Sequence, residues 1–376
     1  MQARHQTKRI WLFTEHRNAT YIINFGLPLQ AQGPQSNIRA ESWSTQEVTD
    51  MGCATLITRL RSRGASEMPD VAIFSRFVLP YGQDLIALCR SLGILTLFHL
   101  DDLLQQLPED IGEKYTATYS ASFVAALNAS ILACDGVLVS TPVLGAHVSA
   151  LYPQQAVRAI QGVCYVQVPG WTASGIRSRL ARLKRQLTHS GTQTLGYMGS
   201  SSHARDLATA TPQIAQLLRK RPNLRFEILG MPAPEVLVRE FGSRIRQYSF
   251  TTHYSGFLAA LYEMNWDLGL APLVRDEFNR SKTATKFLEY TACGIPTLAE
   301  DMEPYSQFGG ERGAIAVATG GNWTDAVGDL LSDGSRRHRQ LQNARRLCES
   351  RFAPEQTVAH LRDAIDQVAQ ATGRAI

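Results

Sequence analysis

The chain lacks a transmembrane-length apolar run, closely paired cysteines, low-complexity tracts and any internal repeat. Ile10–Phe13, the first apolar run, is too short for a signal core or a membrane span. Six cysteines, Cys53, Cys89, Cys134, Cys164, Cys293 and Cys348, miss the spacing of zinc or iron–sulfur sites, so no metal is expected. They read as buried thiols of a reducing compartment, and with the polar start Met1–Arg9 they make the cytoplasm the expected location. Charge of one sign is also scarce. The 38 Lys and Arg against 33 Asp and Glu give +5, too even a balance to mark a nucleic-acid binder, and no base-reading motif accompanies it. No P-loop ends in Gly-Lys-Ser or Gly-Lys-Thr, and Gly196-Tyr-Met-Gly199 misses the dinucleotide spacing.

What is present is alternation. Short apolar runs separate longer mixed segments, and 376 residues with 44% apolar content exceed what one core normally accommodates. Two α/β units are expected. In the first, the strands are Ile10–Phe13, Val71–Phe74, Ile94–Phe98, Gly136–Ser140 and Cys164–Val168, with helices at Gly82–Arg90 and Ala117–Ala133. The polar stretch Gln35–Glu47 reads as a loop or a long excursion near a cleft. A linker follows Val168–Trp171, then a basic helical stretch, Ile176–Leu187. The second unit places strands at Thr194–Gly199, Leu224–Gly230, Ile245–Phe250, Leu268–Leu273, Ile295–Ala299 and Ala314–Ala318. Pro354–Gln370 forms a closing helix.

The richest segment is Asn279–Thr297. Ser281 or Asn279 is expected to cap a helix whose free N–H groups and Lys282 face one small volume, a setting suited to an anion. Lys286 lies a turn further and Glu289 nearly above Lys282, although Lys286 and Glu289 also fit a weak surface ion pair. Gly199 permits close backbone approach, and Ser200 adds a hydroxyl, or both belong to a plain turn. His99, Asp101 and Asp102 end a strand where α/β enzymes place chemistry, while the aspartates equally fit a helix cap. Asn18, Tyr21, Asn24 and Gly26 follow the first strand in a loop. His16 and Arg17 beside them fit either a phosphate contact or a solvated loop.

Gly196–Leu207, Phe226–Gly230, Asp267–Leu273 and Lys282–Pro296, together with Asn18–Pro28, Phe98–Asp102 and Cys134–Leu144, make the chain resemble GT-B nucleotide-sugar glycosyltransferases, family 4-like. The resemblance implies two facing Rossmann-like domains, at 1–172 and 173–350, with a C-terminal helix, 351–376, crossing back. It places the nucleotide diphosphate on the second domain and the acceptor on the first, and makes Asn18, Tyr21, Asn24 and Gly26 an acceptor-facing loop suited to polar sugar recognition. Glu289 matches the carboxylate that receives the ribose, Lys282 a basic phosphate contact and Arg205 the basic group near the first donor-domain loop; Ser281 stands where an acidic residue is usual. The implied reaction is transfer to a saccharide or glycolipid acceptor, with retention, in cell-surface polysaccharide or glycoconjugate synthesis. No cofactor is expected beyond the nucleotide-sugar substrate. Peripheral contact with the inner membrane face is expected through basic and apolar first-domain surfaces, and no oligomeric state is indicated. A nucleotide-sugar hydrolase or epimerase, and a noncatalytic sugar-binding assembly protein, stay open as alternatives.

Overall fold

The apolar runs pair into two separate parallel sheets of six strands each. The computed structural model describes residues 7–31, 38–160, 162–165, 168, 173–188, 191–249 and 253–374. The first sheet runs β2-β1-β3-β4-β5-β6, from Lys8–Thr14 (β1), Ile38–Ser44 (β2), Val71–Ser75 (β3), Leu95–Leu100 (β4), Gly136–Val139 (β5) and Ala156–Ala159 (β6). The second runs β12-β11-β10-β7-β8-β9, from Gln193–Met198 (β7), Leu224–Leu229 (β8), Ile245–Tyr248 (β9), Leu268–Ala271 (β10), Thr297–Glu300 (β11) and Ala316–Ala318 (β12). Every residue of β3 and β4 is buried, the pattern of central parallel strands covered on both faces.

The helices that matter for the site are Gly82–Ser91 (α1), Ala121–Ala133 (α2), Ala173–Thr188 (α3), Ala204–Lys220 (α4), Tyr254–Met264 (α5), Glu277–Arg280 (α6), Thr285–Ala292 (α7) and Pro354–Ala371 (α8). α2 starts later than its apolar pattern suggests, because Ser120 accepts a hydrogen bond from the Phe123 N–H and caps it there. α8 packs Val358, Leu361, Ile365 and Val368 into the same cluster as Ile10, Leu12, Val71 and Leu97, so the last helix covers the first sheet. Gly136 makes that approach possible: a Cβ there would lie 2.5 Å from Val368 Cγ1.

Two expectations are corrected. Gln35–Glu47 is not a loop through its described part, since Ile38–Ser44 pairs along all of β1 and Ser44 then caps a helix, Thr45–Met51. Its polarity comes from its edge position: Ile38 and Trp43 turn inward while Arg39 stays exposed and Glu41 pairs with Arg63. Cys164, Tyr165 and Val168 of the expected last strand, Cys164–Val168, are not in the sheet; Ala156–Ala159 pairs with β5 in that place. Cys164 and Tyr165 instead donate their N–H groups to Ile23 O (3.1 Å) and Phe352 O (2.7 Å). Residues 169–171 of the expected linker lie outside the described residues, as do Phe250 of the expected Ile245–Phe250 strand and positions 166–167.

The two sheets are joined through α6. Phe278 is buried in the first-domain cluster with Leu103, Leu104 and Ile111, and Thr141 Oγ1 donates to Ser281 O at 2.8 Å. In the second sheet, Gly196 sits under Trp266, whose indole N–H donates to Glu227 at 2.9 Å. A Cβ on Gly196 would lie 1.7 Å from Trp266 Cδ2, inside the ring's own volume. Gly196→Ala is therefore expected to lose about 1–3 kcal/mol or more of stability to overpacking, read as a lower urea midpoint. An unchanged midpoint would show that Trp266 is free to move.

Candidate functional site

Parallel strands end on one side, so the loops leaving both sheets converge where ligands of open α/β sheets sit. Here they enclose a cleft of about 670 Å3. Arg17, Asn18, Thr20, Asn24, Asp101, Asp102 and Tyr115 line it from the first domain, and Gly199, Ser200, His203, Tyr254, Lys282, Lys286 and Glu289 from the second. The structure thus brings together seven of the nine sequence candidates; His99 and Arg205 are absent from the lining.

The first-domain wall is built around Arg76, which the sequence reading missed. It follows β3 with φ +52°, a left-handed backbone that a non-glycine residue holds only when its surroundings enforce it. Its guanidinium meets Glu15 at 3.3 Å, Asp101 at 3.1 Å and Asp102 at 3.9 Å, and lies over the Tyr119 ring. Burial alone would raise Asp101, but Arg76 and His99, with a hydrogen bond from Thr20 Oγ1 at 2.8 Å, outweigh it and hold the carboxyl below its ordinary range. Asp102 goes the other way. Burial and the neighbouring Asp101 charge raise it, against the opposing pull of Lys282 and Arg76. The two neighbouring carboxyls are thus pushed in opposite directions, Asp101 down and Asp102 up.

His99 lies beneath this wall, fully buried, with Ser75 Oγ 2.9 Å from Nδ1 and Ser140 Oγ 3.3 Å from Nε2. Burial, helped by Arg76, lowers its pKa to about 4, so it is a neutral ring fixed between two hydroxyls. Its place inside β4, rather than past the strand end, turns it into the core.

On the second wall, the buried Asp206 carboxylate organises the loops. It accepts hydrogen bonds from the Val274 N–H (3.0 Å) and Asn279 Nδ2 (2.8 Å), and its other oxygen lies 3.0 Å from His203 Nδ1. These bonds and Lys282 overcome burial and hold Asp206 well below the usual carboxylate range. His203, lowered to about 3 by burial and by Lys286 and Lys282, is neutral and carries its proton on Nδ1 toward Asp206.

The expected cap is corrected. Ser281 ends α6, its hydroxyl donating to Glu277 O at 2.8 Å, and Asn279 is buried against Asp206; α7 starts after Ala284 with no side-chain cap. Lys282 therefore precedes the helix, with Nζ over the Phe278 ring at 4.6 Å, while Lys286 stands in the first turn of α7 near the Tyr197 ring. Burial and Lys282 lower Lys286 to about 8. Burial raises Glu289 to about 7, against a hydrogen bond with Tyr254 and the charge of Lys286. Arg205 turns away from this group to pair with Asp110 (2.9 Å) and Asp276 (2.7 Å). Arg17, on the opposite wall, is bidentate to Glu47 and lies against Tyr21.

Arg76 and Tyr254 lie outside every segment that carries the resemblance, while His203 and Asp206 lie within Gly196–Leu207 without any local spacing that marks them. Among the described residues, no group of three or more His, Cys, Asp or Glu side chains is gathered to hold a metal ion.

Residues 211–363 match a family model described as glycosyl transferase-like. HepE of Anabaena, solved with UDP and glucose, superposes with a TM-score of 0.63 at 12% identity, covering 96% of this chain and 100% of its own. The N-terminal domain of Candida albicans trehalose-6-phosphate phosphatase gives 0.64 at 11%, over 96% and 97%. A trehalose-6-phosphate structure from Escherichia coli, bound with UDP-2-fluoro glucose, gives 0.57 at 12%, over 95% and 98%. The chain has a GT-B, glycosyltransferase-like fold. No curated protein sequence matches it. In this GT-B arrangement the basic pair Lys282 and Lys286 and the carboxylates Asp101 and Asp102 face one cleft from different domains.

Glu289 gives a sign-specific test. Its folded pKa of about 7 lies above the ordinary 4.5, so between those values the native state binds more protons than the unfolded state. Stability from this group is then full below the lower value and falls as pH rises through the window. Relative to the unmodified protein, Glu289→Gln should gain about 3 kcal/mol between pH of about 4.5 and about 7.5, measured by urea unfolding without nucleotide. A constant difference across that range would show an ordinary carboxylate.

Proposed function

We propose that the protein transfers a glycosyl group from a nucleoside-diphosphate sugar to a hydroxyl of a saccharide or glycolipid acceptor. The carrying observation is the cleft itself: two lysines and the uncapped start of α7 on one wall, and two aspartates of divergent pKa on the other. The reading extends to retention at the anomeric carbon and to cell-surface polysaccharide or glycoconjugate synthesis. It also places the protein in the cytoplasm, peripheral at the inner membrane face. Among the described residues no helix is long and apolar enough to cross a membrane.

Breaking the bond from the anomeric carbon to the phosphate oxygen leaves negative charge on the departing diphosphate. Lys282, Lys286 and the α7 N–H groups stabilise that charge with preorganised donors. Lys286, at about 8, is largely protonated near neutrality, and a bound diphosphate would raise it further. Glu289 receives the ribose hydroxyls. Asp102 orients the acceptor hydroxyl and, with its raised pKa, is the better proton acceptor of the pair; Asp101, tied to Arg76 and Thr20, holds the wall. Arg205 contributes by joining Asp110 of the first domain to Asp276 of the second, and His99 by buttressing the strand end.

UDP-sugars are the donors to test first, since UDP, or a UDP-sugar, is bound in two of the structures that share the fold. A mass-resolved screen of donors against glycan acceptors should show an acceptor gaining one glycosyl mass with release of nucleoside diphosphate. Donor loss without acceptor product would favour a hydrolase or epimerase, and binding without turnover a noncatalytic role. Lys282→Ala should weaken diphosphate binding by about 1.5–3 kcal/mol in calorimetry. Asp102→Asn should cut acceptor-dependent turnover by about 10²–10⁴ while leaving diphosphate affinity near normal. Full transfer by Asp102→Asn would remove it from the reaction.

A further inference from the structure

The helix α3, between the two sheets, is amphipathic in the inverted sense. Ser178, Arg182 and Arg185 face the protein: Ser178 Oγ donates to Glu263 at 2.6 Å, Arg182 donates to Tyr262 O at 3.0 Å and Cys293 O at 2.6 Å, and Arg185 pairs with Glu227. The apolar residues face out. Ile176, Leu180, Leu183 and Leu187 are 45%, 61%, 51% and 70% exposed, four of the nine large apolar side chains so exposed among the described residues. At roughly 3.6 residues per turn these four fall within about 60° of one another and form one stripe about 16 Å long.

A surface helix normally buries its apolar stripe, and its leucines gain nothing by facing water. Here the polar side is anchored by hydrogen bonds and an ion pair to α5, β8 and the residue after α7, so the helix is not free to roll over. The stripe is left for something outside the chain.

We propose that α3 is a docking surface for an anionic phospholipid bilayer, lying in the interface with its leucines in the acyl boundary. Charge selects this occupant. The helix has no acidic residue, and helical spacing puts Arg177 and Lys184, both exposed, along one border of the stripe. A second copy of the chain seated stripe to stripe would bring those cations against their equals, whereas lipid phosphates neutralise them. One straight stripe bordered by cations is the arrangement of helices that lie in a membrane surface. This places membrane contact on the segment joining the domains rather than on the first-domain surface, and it stands whatever the cleft transfers.

The test is sedimentation of the full chain with vesicles of mixed phosphatidylglycerol and phosphatidylcholine, against phosphatidylcholine alone. Binding should require the anionic lipid and weaken with added salt. The double variant Leu180→Ser with Leu183→Ser, whose side chains project into solvent, should bind at least about tenfold more weakly. Arg177→Glu with Lys184→Glu should lose the preference for anionic vesicles. As an independent reading, Leu183→Trp should shift its emission to the blue on adding anionic vesicles. Absence of binding by the unmodified chain, equal binding by the serine variant, or a leucine-dependent dimer that ignores vesicles would each overturn the proposal.

Discussion

The donor-side wall depends on one buried carboxylate. Asp206 is 1% exposed, and its bonds to the Val274 N–H and the Asn279 amide, with His203 against its second oxygen, tie α4 to the loop after β10 and to α6. Removing a charged acceptor from such a position leaves its donors unsatisfied in a low-dielectric site, a larger cost than the net value of any one bond. Because α6 leads directly into Lys282 and α7, that carboxylate sets the position of the two lysines, and its charge attracts both.

The opposite wall solves the converse problem. Three carboxylates, Glu15, Asp101 and Asp102, surround one guanidinium, so the cluster keeps excess negative charge that Lys282 partly offsets across the domain junction. Crowding splits the aspartates into a fixed anion and a carboxyl of raised pKa, the usual result when like charges share a site. The left-handed backbone at Arg76 is what delivers the guanidinium there. The two walls are therefore coupled electrostatically as well as through Phe278 and the bond from Thr141 to Ser281.

Local patterns made much of this readable from the chain. Nearly every central strand is an apolar run, because a parallel strand covered on both faces must be apolar throughout. β2 escaped notice because an edge strand needs only part of its length buried. Lys286 and Glu289 share one wall because helical spacing sets them one turn apart on α7, and Lys282 joins them from the short stretch just before that helix.

What the sequence by itself determined, then, is the two-sheet α/β plan, the single basic segment before β11, and the amphipathic period of α3. The tertiary structure alone decided that His99 faces Ser75 and Ser140 in the core, that Arg205 meets Asp110 and Asp276, and that Arg76 commands the aspartates. It also decided which face of α3 turns outward, since the period is the same with either face buried. The reason is common to all four. Burial and charge pairing are set by partners tens to hundreds of residues away, and no local spacing encodes which of them will close on a given side chain.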